Sequence, residues 1–166
     1  MKLNQIVYWF RTIIDKLTLL AVVIGGIFTG IMTIIVGYAV VGRYILNRPI
    51  GWSEEISMYL VVWAVFLGAA YTLKEDAHIG VDVVVARLKP SWKRAVFIFH
   101  HVVGIVFFSI LLYKGSQFVT MSIKMGALSE SIEFPLYIAQ LSVPVGAAIL
   151  ILQSLNKLLE QYKRDS

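Results

Sequence analysis

The chain has 166 residues, 58% of them hydrophobic and 15% charged, with a net charge of +5 and no cysteine. A soluble domain carries roughly a quarter charged residues, so this composition cannot coat a globular surface. The absence of cysteine excludes disulfides, thiolate metal sites and thiol redox chemistry, and the basic residues lie between hydrophobic runs, which points to a membrane rather than to nucleic acid.

In the first sixteen residues Leu3, Ile6, Val7, Phe10, Ile13 and Ile14 recur at helical spacing. Lys2, Gln5, Arg11 and Lys16 occupy the other face, and Tyr8 and Trp9 suit the headgroup level. The pattern predicts an amphipathic helix over 1–16, lying on the inner membrane surface. The apolar run behind it is too long for a secretory signal core, and no small-x-small cleavage site follows, so it is expected to be retained as a span.

Four stretches lack Asp, Glu, Lys and Arg: 17–42, 56–73, 95–113 and 134–156. A span needs about 20 apolar residues, within about 17 to 25, so four transmembrane helices are predicted in a single all-α membrane domain. Lys and Arg set the orientation. Lys2, Arg11 and Lys16 precede the first span; Lys74, Arg87, Lys89, Lys93 and Arg94 follow the second; Lys157, Lys163 and Arg164 close the chain. Only Arg43, Arg48, Lys114 and Lys124 fall on the other side, so both termini are expected in the cytoplasm.

Small residues let helices approach closely in lipid. Gly26 and Gly30 supply such a patch in the first span, Ala64 and Gly68 in the second, and Ser142 and Gly146 in the fourth. Between the first two spans, Ser53 reads as a helix N-cap with Glu54 and Glu55 in the first turn, where the helix dipole favours negative charge. Arg43 and Arg48 are candidates to pair with them. In the central loop, Asp82 reads as the cap of a second interfacial helix over 83–88, which Pro90 stops. Pro144 removes a hydrogen bond to the Gln140 carbonyl, so a kink is expected there, with Gln140 as an interhelical hydrogen-bonding group.

No charged residue lies within the four uncharged runs. Ion-coupled carriers place ionisable groups at membrane depth despite the cost, so nothing here is read as driving transport, and no catalytic or metal site is assigned. His100 and His101 open the third span near the cytoplasmic headgroups. They read more simply as interfacial hydrogen-bonding groups than as haem ligands paired with His78. The haem reading would make the chain the haem-b-binding membrane anchor of a redox enzyme.

Arg43-Tyr44, Trp52-Ser53-Glu54-Glu55, Trp63, Phe66-Leu67-Gly68-Ala69-Ala70 and His78-Ile79-Gly80-Val81-Asp82 together resemble the small membrane subunit of tripartite ATP-independent periplasmic (TRAP) transporters, the DctQ-type family. The fourth span, with Pro144 and Gly146 after Tyr137, is similar too, whereas the loop around Gly126 to Glu133 matches less well. The resemblance implies a scaffold subunit in a bacterial inner membrane, without a cofactor and without transport of its own. Its implied partners are a large membrane subunit that carries the substrate and sodium sites, a periplasmic substrate-binding protein, and membrane lipids. It further implies that Arg43, Trp52, Glu54, Glu55, Trp63, Gly68 and His78 are interface or structural positions. The cargo would be an organic anion; C4-dicarboxylates, sialic acids, other sugar acids and sulfonates all stay open.

Overall fold

The computed structural model describes residues 2–48, 50–75 and 90–164, which form five helices. They are α1 (Lys2–Tyr44), α2 (Gly51–Lys74), α3 (Pro90–Met125), α4 (Leu136–Gln140) and α5 (Ser142–Arg164). Four stretches, Arg11–Tyr44, Gly51–Lys74, Trp92–Met125 and Leu136–Gln161, are long and apolar enough to cross a membrane. Each overlaps one of the four uncharged runs, with different ends. The predicted helix over 83–88, its cap Asp82, and His78 lie outside the described residues.

Two helices outrun their expected lengths. α1 is one helix of 43 residues, about 64 Å at the helical rise, against a hydrocarbon thickness of about 30 Å. The helix expected separately over 1–16 is therefore its first part. No glycine or proline lies between Lys2 and Ile24, so helix growth meets no stop. α3 has 36 residues and passes well beyond Tyr113. The hydroxyls of Ser116 and Thr120 donate back to the carbonyls of Leu112 (2.7 Å) and Ser116 (2.8 Å), so polar residues are accommodated on the helix itself. α3 ends where Gly126 turns to φ 60°. There the Gly126 N–H donates to Ile123 O (3.2 Å) and the Ala127 N–H to Ser122 O (3.1 Å), a Schellman closure.

The kink expected from Pro144 is a break at Leu141 that separates α4 from α5. The Leu141 N–H still reaches Tyr137 O (2.9 Å), and the Val145 N–H reaches Leu141 O (3.1 Å). The Gln140 carbonyl, opposite the proline ring, loses its donor. Ser53 is not the cap of α2. The helix begins two residues earlier, with Ile50 at the N-cap position, and the buried Ser53 hydroxyl donates back to Ile50 O at 2.6 Å.

The helices do not close into a square bundle. α1 packs along α2, α2 against α5, and α5 against α3, with a shorter contact between α1 and α5. Among the described residues α3 packs against neither α1 nor α2. α5 is thus the central element: 39% of an 18-residue window in the α4–α5 span is buried, against 6% in that of α3. Ala70, Leu73 and Leu150 form the core, flanked by Phe66, Ala69, Phe108 and Ile149. Close approach of α2 and α5 depends on Gly146, where an added Cβ would lie 2.5 Å from the Cβ of Phe66. α1 buries Ile14, Thr18, Ala21 and Gly25, spaced four, three and four residues apart on one helical face.

The small-residue patches are only partly used within the chain. Gly25, not Gly26 or Gly30, meets α2, against the carbonyl of Ala64. An added Cβ on Gly26, Gly30 or Gly68 would meet nothing within 4 Å. Ser142 is fully buried and Gly146 is packed, so the fourth span uses its patch internally.

Candidate partner-binding surfaces

At the end of the molecule holding the α1–α2 turn, a polar clasp joins distant parts of the chain. α1 closes with backbone donation from Arg48 to Gly42 O at 2.9 Å, and Asn47 takes φ 49°, a conformation asparagine tolerates. Gly42 is needed there, because an added Cβ would lie 2.9 Å from Ile50 Cδ1 and 3.2 Å from Arg48 O. This turn brings the exposed Arg43 guanidinium onto the Glu54 carboxylate as an ion pair. One residue on, Glu55 accepts hydrogen bonds from the Tyr59 hydroxyl at 2.5 Å and from the Ser131 backbone N–H at 3.0 Å. Glu55 thereby fastens the 126–135 loop to the start of α2.

That loop is itself tightly returned. The Ser129 N–H donates to Phe134 O (2.9 Å), the Phe134 N–H to Ser129 Oγ (3.1 Å), and the Leu136 N–H to Ala127 O (3.1 Å). Two turns below, Trp63 Nε1 donates to the carbonyl of Ile138 at 3.1 Å. Glu55 and Trp63 are therefore internal staples between α2 and the returning chain. Trp52 is 39% exposed and Gly68 faces open space. Of the seven residues singled out in the sequence, four belong to this clasp or its staple, two face outward, and His78 is not described.

The opposite end carries a second polar set that sequence reasoning passed over. Arg11 pairs with Glu160 at 2.9 Å and Lys74 with Asp15 at 3.7 Å. Between α1 and α5 the fully buried Thr18 hydroxyl donates to Gln153 Oε1 at 3.3 Å. One signal was present: Asp15 is the only acidic residue in the first fifty. The adjacent histidines diverge. His101 is buried, its Nδ1 2.9 Å from Phe97 O and its ring 4.2 Å from that of Phe97, whereas His100 is exposed.

Between α2 and α3, whose backbones do not pack against each other, lie two apolar pockets backed by α4 and α5. The one nearer the clasp has a volume of about 690 Å³ and is lined by Tyr59 and Val62, by Lys114, Phe118 and Met121, and by Gln140 among others. The other, about 570 Å³, lies between Phe66 and Ala69 on one side and His101, Phe107 and Phe108 on the other. Buried in the wall, Gln140 Oε1 accepts no hydrogen bond among the described residues. The interhelical bond expected of Gln140 is not made through this oxygen among the described residues.

Four helices long and apolar enough to cross a membrane, tied by internal polar staples, define a multi-pass membrane protein. Residues 32–164 match the family of the DctQ component of tripartite ATP-independent periplasmic transporters, and the chain belongs to that family. It is similar to a C4-dicarboxylate TRAP transporter small permease protein DctQ of Rhodobacter capsulatus, 28% identical over 63% of this chain and 46% of that protein. Its counterpart in Vibrio cholerae is 36% identical over 54% of this chain and 38% of its own length. An isethionate TRAP transporter permease protein DctMQ of Oleidesulfovibrio alaskensis is 23% identical over 93% of this chain but 24% of that protein. The chain thus spans less than half the length of these relatives. They lend no support to the haem-anchor alternative.

Proposed function

We propose that this chain is the small scaffold subunit of a TRAP transporter, set beside a large membrane subunit in sodium-coupled, binding-protein-dependent uptake of an organic anion. The observation that carries the reading is the open helix arrangement. α1 and α3 bury only 11% and 6% of an 18-residue apolar window in each. Lipid can solvate such faces, but a helix kept beside three others with almost no burial fits one that meets a second protein. The DctMQ relative, about four times as long as the stretch it shares with this chain, supports a large membrane partner. The relatives' names include C4-dicarboxylate and isethionate, which supports an organic anion as cargo without choosing one.

Orientation follows the charges. The Arg11–Glu160 and Lys74–Asp15 end carries most Lys and Arg and faces the cytoplasm. The clasp with the 126–135 loop then faces the periplasm, where a substrate-binding protein would dock. Reconstitution tests the reading. The isolated chain should give no solute uptake, and the chain with its large subunit and binding protein should give sodium-dependent uptake. Robust uptake by the isolated chain would overturn the scaffold role.

A further inference from the structure

The pocket between α2 and α3 nearer the clasp contains a cation whose depth the uncharged runs conceal. Glu54 and Lys74 bracket α2 and are twenty residues apart, about 30 Å along the helix, which equals the hydrocarbon thickness. Both are ion-paired, Glu54 to Arg43 and Lys74 to Asp15. These two pairs bracket the spanning stretch of α2. Gly146 of α5 is level with Phe66 of α2, as the 2.5 Å approach of an added Cβ shows. Phe66 is eight residues from Lys74, about 12 Å. Gly115 of α3 abuts Val143 and Pro144, each 3.2 Å from an added Cβ, so it is about 3 Å nearer the outer face than Gly146. Lys114 consequently lies about 15 Å from either end of that stretch, near its middle.

A lysine at that depth is rare, and its stem is too short to carry the ammonium to either headgroup layer. Its Nζ sits 5.6 Å from the centroid of the Tyr113 ring. Among the described residues no carboxylate pairs with it. Gln140 Oε1 is an acceptor without a donor among the described residues. Gln140 and Lys114 line the same pocket. Lipid tails offer neither an acceptor for the ammonium nor a donor for the amide. A protein helix can offer both.

We infer that this α2–α3 pocket is the seat of a membrane helix of the large subunit, and that this helix presents a carboxylate to Lys114 and a hydrogen-bond donor to Gln140. The inference rests on the scaffold reading and gives it a location. A carboxylate delivered there would turn two isolated polar groups into one internally satisfied site, which fixes depth and rotation as well as attachment.

The test is recovery of the large subunit with tagged full-length chain from membranes, together with cellular uptake. Lys114→Met keeps length and removes the charge, Lys114→Arg keeps the charge, and Lys124→Met is the control near the outer face. Lys114→Met should lower recovery about tenfold, the equivalent of one charged hydrogen bond, and uptake with it. Lys114→Arg should retain most of both, and Lys124→Met all of both. The thermal midpoint of the Lys114→Met chain alone should match that of the unaltered chain, since this cation has no ion pair to lose. Undiminished recovery with Lys114→Met overturns the inference. So does undiminished recovery with loss of co-purifying phospholipid, which would assign the pocket to lipid. Failure of the unaltered chain to recover the large subunit would instead overturn the scaffold reading.

Discussion

α5 and α3 are both long apolar helices, and they lie against each other, yet they live in different surroundings. α5 is enclosed by α1, α2 and α3, and buries Ser142, Ala147, Leu150, Gln153, Ser154 and Asn156. α3 touches α5 and the short α4, and leaves Phe99, Val106, Phe107, Ile110 and Phe118 more than half exposed. In water such a difference would mark α3 as unstable. In lipid it does not, because exposed apolar surface costs nothing there and helices associate through packing and polar contacts. The contrast therefore separates residues that hold this chain together from residues that face outward, which the proposed reading assigns to the large subunit.

Overpacking at the centre should have the largest effect. Gly146→Val places its side chain into the Cβ of Phe66 and should lower the stability of the purified chain by about 3 kcal/mol, read as a drop in thermal midpoint. Gly68→Ala, with open space around it, should leave the midpoint unchanged. Next comes Leu150→Ala in the core, expected to cost about 2 kcal/mol, near the low end for such truncations because lipid contributes no transfer term. Phe118→Ala on α3 removes more atoms and should cost almost nothing in the isolated chain. Equal losses at Leu150 and Phe118 would erase the distinction between the two helices.

Smaller still is the clasp. Glu55→Ala frees the Tyr59 hydroxyl and the Ser131 N–H, and should lower the thermal midpoint only slightly. Its clearer signature is faster amide hydrogen exchange at Ser131, with Trp63 and Ile138 unaffected. Arg11→Ala at the other end breaks a pair whose side chains are about one-third exposed, and should cost at most about 0.5 kcal/mol.

The four spans were legible because absence of charge over about twenty residues is a local signal. The break before Pro144 was legible for a similar reason, since a proline acts on the carbonyl four residues back. Faces were harder. Gly26 and Gly30 carry the recognised spacing, but the helix turns Gly25 inward, and only the position of Ala64 decides that. The Glu55–Ser131 bond joins residues 76 apart in sequence, beyond any local pattern. α3 misled most. Lys114 ends an uncharged run and so resembles the end of a span, yet the helix continues to Met125. Its depth emerged only from the packing of Gly115 against Pro144.

Cross-linking from α3 tests the central claim most directly. A benzoylphenylalanine placed at Phe118, in cells making the large subunit and binding protein as well, should form a light-dependent adduct with the large subunit. The same probe at Val23, on the exposed side of α1, reports whether that face is also covered. Adducts to the large subunit from position 118 are the predicted result. Adducts only to lipid at that position, with the assembled complex present, would contradict the account.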